Sequence, residues 1–456
     1  MSDTIAAIAT GGAVSAIGII RVSGGRAIET ADKVFRAACG IKLARAENRR
    51  MYYGELTGTD GMAIDLCLCV VARGPDSYTG EDTVEFHCHG SPVVLSEGLC
   101  ALFARGARQA QAGEFTKRAF LNGRMDLTQA EAVIDLIEAE TPAAALNAAG
   151  QLKGAVGERL ESAYGELLDI TTHFHAVIDY PDEDIDEFEM QSYLSALLGI
   201  EEEFMRMLDT HKRGRVLREG IPAAIAGRPN TGKSSLLNAL LGYDRAIVTH
   251  IPGTTRDTIE EKILIGNILL RLTDTAGLRK TDNDIEKLGV ERALAALRSA
   301  ELVILVLDGS EPLRDEDLEV LRSIPAGVPK LAAVNKSDLP HVLGADDLDT
   351  LGLKSCRISA ITGEGLDVLD AEIRKMFPEL DARPSGEIIT NARQAEAIAR
   401  ARDSVVQSIT AIKASVTPDA VLTEVETALS IIGEITGKTL REDVTTRIFE
   451  RFCVGK

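Results

Sequence analysis

The sequence predicts a multidomain α/β protein in which a parallel-sheet domain is inserted between two halves of a helical domain, after an α+β N-terminal domain. Short segments of alternating apolar and polar residues with glycine-rich breaks occupy residues 1–120. Apolar residues at three- and four-residue spacing follow from Leu127 to about residue 215 and return after Glu387, as in amphipathic helices. A glycine-rich loop begins at Gly227, between an apolar run and a helical pattern. The predicted domains are residues 1–120, 121–217, 218–380 and 381–456, with hinges near residue 218 and at 381–386.

Length and composition indicate a reduced, cytoplasmic protein with no membrane association. The 456 residues suffice for two to four domains at about 100–200 residues each. No apolar run reaches the roughly 18 residues that a membrane span needs, and the N-terminus lacks a signal-peptide pattern. Seven cysteines without zinc-type spacing favour free thiols.

The net charge of −20 argues against a broad nucleic-acid surface, because phosphate contacts require clustered Lys and Arg. His211 to Arg218 is a local basic patch, which is either an RNA contact or a solvated linker; the linker is the simpler interpretation.

Two cysteine-containing stretches of the N-terminal domain are typical of strands. Cys67 and Cys69 lie in an alternating segment and are expected on the same face of a strand. His87-Cys88-His89 has the residue types of a metal site, but a period-2 strand leading into Gly90 explains it more simply.

Residues Gly227–Ser234 read GRPNTGKS, which satisfies the phosphate-loop pattern G-x-x-x-x-G-K-[ST]. Pro222 to Ala226 is predicted as a buried strand, and Ser235 to Leu241 begins a helix whose N-terminus favours anions. Lys233 is expected at the β and γ phosphates, and the Ser234 hydroxyl on Mg²⁺. The predicted nucleotide contacts of this loop are Asn230, Thr231, Gly232, Lys233, Ser234 and Ser235.

The metal and γ-phosphate contacts are predicted in two later segments. After Ile263 to Leu272, an apolar stretch with strand character, Asp274–Gly277 spell DTAG. Asp274 is expected to hold Mg²⁺ through water, and the Gly277 N–H to meet the γ phosphate. Upstream, Thr255 is the candidate for the second hydroxyl on the metal, and Thr249 and Thr254 complete the predicted nucleotide contacts.

The guanine reader is predicted at Asn335–Asp338, which spell NKSD. Leu302 to Asp308 and Lys330 to Val334 read as parallel strands, and the second delivers this motif at its carboxyl end, where ligands bind in open α/β sheets. Asp338 can accept from guanine N1–H and the exocyclic amine, which adenine cannot match. Lys336 is expected along the base, and Ser359 and Ala360 beside the guanine carbonyl. The sequence therefore predicts a GTP-binding protein.

Catalysis must differ from that of Ras-like GTPases, in which a glutamine after DTAG orients the attacking water. Here that residue is Leu278, which has no hydrogen-bonding side chain. The Asn230 amide and the segment from Thr249 to Thr255 could together hold a monovalent cation that replaces an arginine finger. Asn230 is explained equally well as a residue required by the loop geometry.

These motifs, together with several longer strings, give the chain a named resemblance. The strings are DTIAAIAT, IGIIRVSG, SYTGEDTVEFHCHG, GEFTKRAFLNGRMDLTQAEAVIDLI, DYPDEDI and the terminal FCVGK. The chain resembles the MnmE (TrmE) family of tRNA-modification GTPases over essentially its full length. The resemblance implies a K⁺-dependent homodimer whose G domains meet across the nucleotides. It further implies that Glu286 positions the water, that Arg279 is a switch residue and that K⁺ is bound by Asn230, Thr249, Ile251 and Thr254.

The resemblance also implies one-carbon chemistry on tRNA. Family members bind a formyl or methylene tetrahydrofolate derivative and act with a MnmG (GidA)-like FAD protein in a hetero-oligomer. Together they add an aminomethyl or carboxymethylaminomethyl group to carbon five of the wobble uridine. The implied folate contacts are Arg21, Glu85, Arg124 and Lys456. The chain departs from the family at Arg124, where lysine is common, and in the loop at residues 9–17.

Two alternatives remain open at this stage. Cys453 beside the terminal lysine is either a thiol with a catalytic role or a small apolar residue packed next to Phe452. The whole chain is alternatively a regulatory ribosome-assembly GTPase without folate chemistry. Such assembly factors carry a basic RNA-binding domain, whereas this chain carries an acidic helical domain.

Overall fold

The protein forms two compact units in a computed structural model that describes residues 3–179, 190–242, 260–273, 295–344, 347–348, 352–380, 384–439, 448–450 and 452–455. The first unit comprises Met1–Ile134, Leu152–Leu198 and Asp403–Lys456, and the second Asp135–Gln151 and Gly199–Arg402. Among the described residues, no helix has both the length and the apolar character needed to cross a bilayer.

The first unit is built on a seven-stranded sheet in the order β3-β4-β5-β6-β2-β1-β7. Neighbouring strands are antiparallel except for the short β1–β7 pair. The strands are β1 Ile5–Ile8, β2 Ser15–Ser23, β3 Phe35–Ala37, β4 Met51–Thr57, β5 Ala63–Ala72, β6 Thr83–Gly90 and β7 Arg108–Gln109.

One face of this sheet forms the core of the unit, since buried residues alternate with more exposed ones along β2, β4, β5 and β6. Cys67, Cys69 and Cys88 all point to the buried face, whereas His89 is exposed. This confirms the strand interpretation of both cysteine-containing stretches. Helices α1 Ala27–Asp32 and α2 Pro92–Ala104 contribute Ala31 and Leu102, among others, to the same core.

The opposite face of the sheet, called the outer face below, is partly apolar and exposed. It carries Met51 and Tyr53 of β4, Leu66 and Leu68 of β5, and Ile17 of β2, each more than a third exposed. The register aligns Tyr53 with Leu68, and Leu68 with His87, across three adjacent strands. The outer face therefore presents an apolar stripe along β4 and β5, next to the polar residues His87 and Glu85 of β6.

Helices occupy most of the ranges where the sequence predicts amphipathic periodicity. The helices before the second sheet are α3 Glu114–Leu121, α4 Leu127–Ile137, α5 Pro142–Leu152, α6 Ala155–Asp179, α7 Met190–Asp209 and α8 His211–Glu219. Those near the C-terminus are α12 Ala392–Lys413 and α13 Pro418–Thr436. Helix α6 packs on α13, and His175 on the first lies 2.8 Å from Glu426 on the second.

The second unit contains a six-stranded sheet in the order β13-β12-β11-β8-β10-β9. All neighbours are parallel except β10 and β9. The strands are β8 Ile221–Ala226, β9 Glu260–Ile265, β10 Ile268–Thr273, β11 Leu302–Asp308, β12 Lys330–Asn335 and β13 Lys354–Arg357, and the helices among them are α9 Lys233–Gly242, α10 Asp315–Ser323 and α11 Leu366–Met376. The predicted fold class, with a parallel-sheet domain inserted in a helical region, is confirmed.

The structure defines two local features more closely than the sequence does. The apolar stretch from Ile263 to Leu272, predicted to have strand character, forms a hairpin of two antiparallel strands, because Gly266 turns the chain with φ +60°. The basic patch His211 to Arg218 lies in helix α8, where Arg215 lies 2.7 Å from Glu301, and Arg218 lies 3.1 Å from Asp135. Ion pairing therefore neutralises part of this patch. Residues 381–383 of the predicted hinge at 381–386 lie outside the described residues.

Candidate functional site

The phosphate-loop residues follow β8 directly and lead into α9, as predicted. Strand β8 pairs with the fully buried strand β11 on one side and with β10 on the other. The loop therefore lies at the carboxyl edge of the sheet, where a helix N-terminus and consecutive backbone N–H groups favour an anion. Ser234 and Ser235 are exposed in the first turn of α9.

Gly232 is required by the way the loop packs on β12. Its φ is +96°, and a Cβ at this position would collide with the Asn335 amide. That amide donates from Nδ2 to the Thr231 carbonyl at 2.8 Å, and its Oδ1 accepts from the Ala360 N–H at 2.9 Å. Asn335, the first residue of the NKSD motif, thus joins the phosphate loop to the Ser359–Ala360 segment of the predicted guanine site.

Lys233 lies across the phosphate loop, where its ammonium donates to the Gly227 carbonyl at 2.9 Å and to the Arg228 carbonyl at 2.8 Å. Thr231 is fully buried, and its hydroxyl donates to the same Arg228 carbonyl. These bonds hold the loop curled. Asn230 stands between them, exposed and with φ +65°, a left-handed conformation that asparagine tolerates better than most residues.

Lys336 of the NKSD motif is fixed by Asp308 at the end of β11. The Lys336 ammonium lies 2.6 Å from Asp308 Oδ2, and the buried Asp308 carboxylate also accepts from the Ser310 N–H and hydroxyl. Burial raises the pKa of Asp308, but these hydrogen bonds outweigh that effect and leave the pKa below its ordinary value. A charged carboxylate at this point orients the lysine stem that is predicted to lie along the base.

Asp338 is exposed, and its carboxylate accepts from the Ser359 hydroxyl at 2.6 Å. The serine therefore fixes the rotamer of the residue predicted to read guanine. The Ala360 N–H donates to Asn335 Oδ1 in this structure. The Ser359 hydroxyl and the Ala360 N–H thus donate to the side chains of Asp338 and Asn335, respectively.

Several predicted site residues lie outside the described residues, and their roles stay predictions. They are Thr249, Ile251, Thr254, Thr255, Asp274, Gly277, Leu278, Arg279, Glu286 and Lys456.

Sequence reasoning missed Asp308 and Arg228. Asp308 aligns in register with Asn335 on the adjacent strand, so a carboxylate ending a fully buried strand beside an NKSD strand was the available signal. Arg228 is buried and lies 2.6 Å from Glu311. No local pattern marks that contact, because the two residues are far apart in sequence.

A second candidate site lies on the outer face of the first unit, where the predicted folate contacts Arg21 and Glu85 are cross-strand neighbours. Arg21 Nε donates to Glu85 Oε1 at 2.7 Å, and the guanidinium lies 5.3 Å from the Tyr78 ring centroid and 5.6 Å from that of Phe115. The ion-paired Arg21 guanidinium and Glu85 carboxylate, with the two aromatic rings nearby, form a site with both polar and flat apolar surfaces.

Arg124 approaches the same region through the segment containing Tyr78. Its guanidinium lies 3.9 Å from Asp76, and its stem packs at Gly80. The residues at 76–80 therefore contact both Arg21 and Arg124, although no direct contact joins the two arginines among the described residues.

The C-terminal segment lies against the same unit. Val454 pairs with Ala112 in an isolated antiparallel bridge, and the Gly113 N–H donates to the Cys453 carbonyl at 3.2 Å. Phe452 is buried against Phe449. The Cys453 thiol is exposed, so the alternative in which this cysteine is a packed apolar residue is wrong.

Two family models match the chain. The model described as "GTP-binding protein TrmE N-terminus" matches residues 4–124, and the model described as "MnmE helical domain" matches residues 127–453. The second spans the parallel-sheet unit because that unit is inserted in the helical domain.

Full-length relatives carry the same family name. Proteins called "tRNA modification GTPase MnmE" from Alkaliphilus metalliredigens and Symbiobacterium thermophilum are 42% and 41% identical to this chain, and a third from Clostridioides difficile is 38% identical. Each alignment covers 100% of this chain and 99–100% of the relative.

Among solved structures, Aquifex aeolicus Era Y63A bound to GDP·AlF4⁻ is 27% identical, with coverage of 40% of this chain and 65% of that one. Its TM-score of 0.27 is too low to establish a shared fold by itself. The two family models and the full-length identities are sufficient without it. The chain belongs to the MnmE (TrmE) family.

Proposed function

We propose that this protein hydrolyses GTP and that the hydrolysis serves the modification of tRNA. The observation that carries the proposal is Asn335, which joins a curled phosphate loop to the Ser359–Ala360 segment, beside an Asp338 carboxylate fixed by Ser359. Phosphate and base recognition thus share one sheet edge. The full-length relatives named tRNA modification GTPases supply the biological context.

Magnesium and potassium fit the oxygen donors of the phosphate loop. The Ser234 hydroxyl is exposed in the first turn of α9, and hard cations prefer such oxygen ligands. The Asn230 amide is exposed two residues before the loop's second glycine, where its oxygen could serve a monovalent cation. Bound cations would neutralise charge on the transferring phosphate. Thr255 for Mg²⁺, and Thr249, Ile251 and Thr254 for K⁺, complete the proposed ligand sets.

The protein's own residues would bind and orient the nucleotide. When nucleotide binds, the Lys233 ammonium would leave the Gly227 and Arg228 carbonyls and donate to β and γ phosphate oxygens. The Asp338 carboxylate would accept two hydrogen bonds from guanine. Asp308 would keep Lys336 extended along the base. Glu286, Asp274 and Gly277 carry the proposed roles at the attacking water, the metal and the γ phosphate.

The Arg21–Glu85 site is proposed to hold a tetrahydrofolate derivative. When bound, this cofactor supplies a one-carbon unit at the formyl or methylene level. The carboxylate of Glu85 suits the amine-bearing edge of a pterin, and Tyr78 and Phe115 supply apolar surface nearby. Arg124 and Lys456 would bind the negatively charged end of the tetrahydrofolate derivative. The product is proposed to be an aminomethyl or carboxymethylaminomethyl group on carbon five of the wobble uridine, formed with an FAD-containing partner of the MnmG type.

A homodimer through the outer face is the proposed assembly. The stripe of Met51, Tyr53, Leu66 and Leu68 is apolar and exposed, which is typical of a surface that meets a partner. Glu85 aligns with Val70, which aligns with Met51, so the Arg21–Glu85 pair lies on this same face. A second copy docked there would also shield the folate site from water.

The first experiment is steady-state GTP hydrolysis in KCl and in NaCl at equal ionic strength, with size-exclusion chromatography in GDP and aluminium fluoride. Hydrolysis that K⁺ stimulates at least about tenfold, as a neutralising charge near the phosphate should, together with nucleotide-dependent association of G domains, is the expected result. Equal rates in both salts would reject the cation role of Asn230, and absence of GTP turnover would reject the enzyme. Loss of wobble-uridine modification in cells carrying Lys233→Ala would link the two activities.

A further inference from the structure

Arg228 is a cationic residue inside the phosphate loop whose guanidinium is bound to acids outside that loop. Its Nη2 lies 2.6 Å from Glu311 Oε2, and its Nε lies 3.4 Å from Asp317 Oδ2. The Nε contact does not have hydrogen-bond geometry, so Glu311 supplies the directional bond and Asp317 supplies charge. These two carboxylates therefore compensate the charge of the guanidinium.

Burial makes this arrangement rigid. The Arg228 side chain is 8% exposed, and the Asp317 side chain is 4% exposed. Removing one partner of such a pair leaves an uncompensated charge in a poorly hydrated place, so the geometry is strongly maintained. Glu311 is more exposed and also binds Arg314 at 2.8 Å, which means that it serves two arginines.

The main chain of Arg228 transmits this anchoring to the residues that would meet the phosphates. Its carbonyl accepts from both the Thr231 hydroxyl and the Lys233 ammonium. Pro229 follows and fixes its own φ, so that Asn230 starts from a constrained chain. A shift of Arg228 would therefore displace the Lys233 ammonium and Asn230 together.

Glu311, which anchors Arg228, lies in the short segment that follows β11, and Asp308 is the last residue of that strand. Asp308 fixes Lys336, and Glu311, three residues later, fixes Arg228. We propose that Arg228 is a positioning residue which, through Glu311, sets the phosphate loop for nucleotide binding and couples it to the base-binding lysine. This proposal rests on the GTPase function proposed above.

A purely structural ion pair is the competing explanation, since Asp317 also accepts the Arg314 N–H at the start of α10. In that case, loss of Arg228 would lower the melting temperature without changing how each folded molecule binds nucleotide. A positioning role predicts weaker nucleotide binding per folded molecule, because the backbone of the phosphate loop around Arg228 would shift.

The test compares Arg228→Met, Arg228→Lys and Glu311→Gln in the full-length protein with Arg314→Met as the matched control. Arg314→Met removes an exposed arginine from the same Glu311 without touching the loop. The measurements are Kd for fluorescent GDP and for a non-hydrolysable GTP analogue, KM and kcat for GTP, and the melting temperature.

Arg228→Met should raise Kd and KM about tenfold, as expected for the loss of one charged hydrogen bond in the loop's support. Arg228→Lys should recover part of the loss, because lysine can reach Glu311 but not both acids. Glu311→Gln should give an intermediate loss, and Arg314→Met should match the wild type.

Unchanged Kd and KM in folded Arg228→Met, with only a lower melting temperature, would overturn the positioning role. If that variant does not fold, Glu311→Gln and Arg228→Lys decide by the same measurements. A wild-type protein that binds nucleotide but does not hydrolyse GTP would refute the proposed enzyme, whereas the Kd comparison would still test Arg228.

Discussion

Base selectivity is proposed to depend on Asp338, an exposed carboxylate that the Ser359 hydroxyl orients. Asp338→Asn replaces one acceptor by an amide donor that opposes the guanine N1–H. We expect GTP affinity to fall by at least about tenfold, because hydrogen bonds to charged groups contribute roughly 1.5–3 kcal/mol. Affinity for xanthosine triphosphate should rise, as measured by competition against fluorescent GDP.

The control for this experiment is Asp367→Asn, which changes an exposed aspartate in the first turn of α11. It should leave both affinities unaltered. Unchanged GTP affinity in Asp338→Asn would show that base recognition lies elsewhere.

Glu286 is expected to act on the attacking water and not on nucleotide affinity. Glu286→Ala should therefore lower kcat for GTP by about 100-fold, a typical loss for a residue that assists proton transfer or orients water. Kd for GDP and for a non-hydrolysable GTP analogue should stay within twofold. Normal turnover in single-cycle kinetics would contradict the assignment.

Motif residues and their partners differ in how far the sequence reveals them. Lys233, Asp338 and Ser359 occupy fixed positions in short patterns, so their types and approximate places could be read directly. The contacts of Asp308 with Lys336 and of Arg228 with Glu311 join separate segments. They depend on strand register and on the path of a loop, which no local pattern encodes.

At the scale of elements, the β9–β10 hairpin shows why an apolar run is ambiguous. Ile263 to Leu272 has strand character throughout, but Gly266 and Asn267 at its centre are turn residues. This Gly-Asn pair is a turn signal, and read as such it predicts two strands joined by a turn. The parallel strands β8, β11 and β12 lack such an interruption, and their predictions are confirmed.

Ion pairs join Asp3, which precedes β1, to helix α3 and are expected to make the stability of the first unit sensitive to acid. Arg118 lies 2.7 Å from Asp3 and 2.9 Å from Glu114, and Glu114 also binds Arg108. Burial raises the pKa of Glu114, but hydrogen bonds from Arg108, Gln111 and Arg118 bring it below the ordinary value of 4.5. The Arg108 hydrogen bond is the largest cause that lowers the pKa of Asp3.

Both carboxyl groups bind protons less readily in the folded state. Their contribution to stability is therefore fully present above the unfolded-state pKa and declines as pH falls through it. We expect the free energy of unfolding to decrease below about pH 4.5, the ordinary range of glutamate. Urea unfolding between pH 3 and pH 7 measures the effect.

Glu114→Gln should lower stability at pH 7 by about 2 kcal/mol, since a charged hydrogen-bonding partner of two arginines is lost. It should also flatten the acid dependence. Glu29→Gln is the control, because it removes a carboxylate from an exposed ion pair of α1 and should have a smaller effect. An acid dependence identical in Glu114→Gln and wild type would show that other groups control it.

At the scale of the whole molecule, composition and periodicity predict the order of structural classes along the chain. Alternating segments, helical segments and an inserted parallel sheet follow one another as expected. The exact domain limits at 120, 217 and 380 stay predictions. Which face of the first sheet is left uncovered could not be read from the sequence, because strands with one buried face show the same alternation whichever side a helix covers.

The outer face gives a prediction about assembly. Tyr53→Glu combined with Leu66→Glu places two charges in the apolar stripe, and buried unpaired charge opposes association. We expect the wild-type protein to sediment as a dimer and the variant as a monomer with an unaltered melting temperature. Val93→Glu, which changes a 71% exposed residue on helix α2, should remain dimeric. Dimeric behaviour of the double variant would place the interface elsewhere.

The bridge between Val454 and Ala112, with Phe449 and Phe452 packed beside it, has a consequence for how the protein is made. The ribosome synthesises the strands of the first sheet well before these residues, because most of the second unit lies between them in the sequence. The contact between Ala112 and Val454 can therefore form only after that part of the second unit has been synthesised.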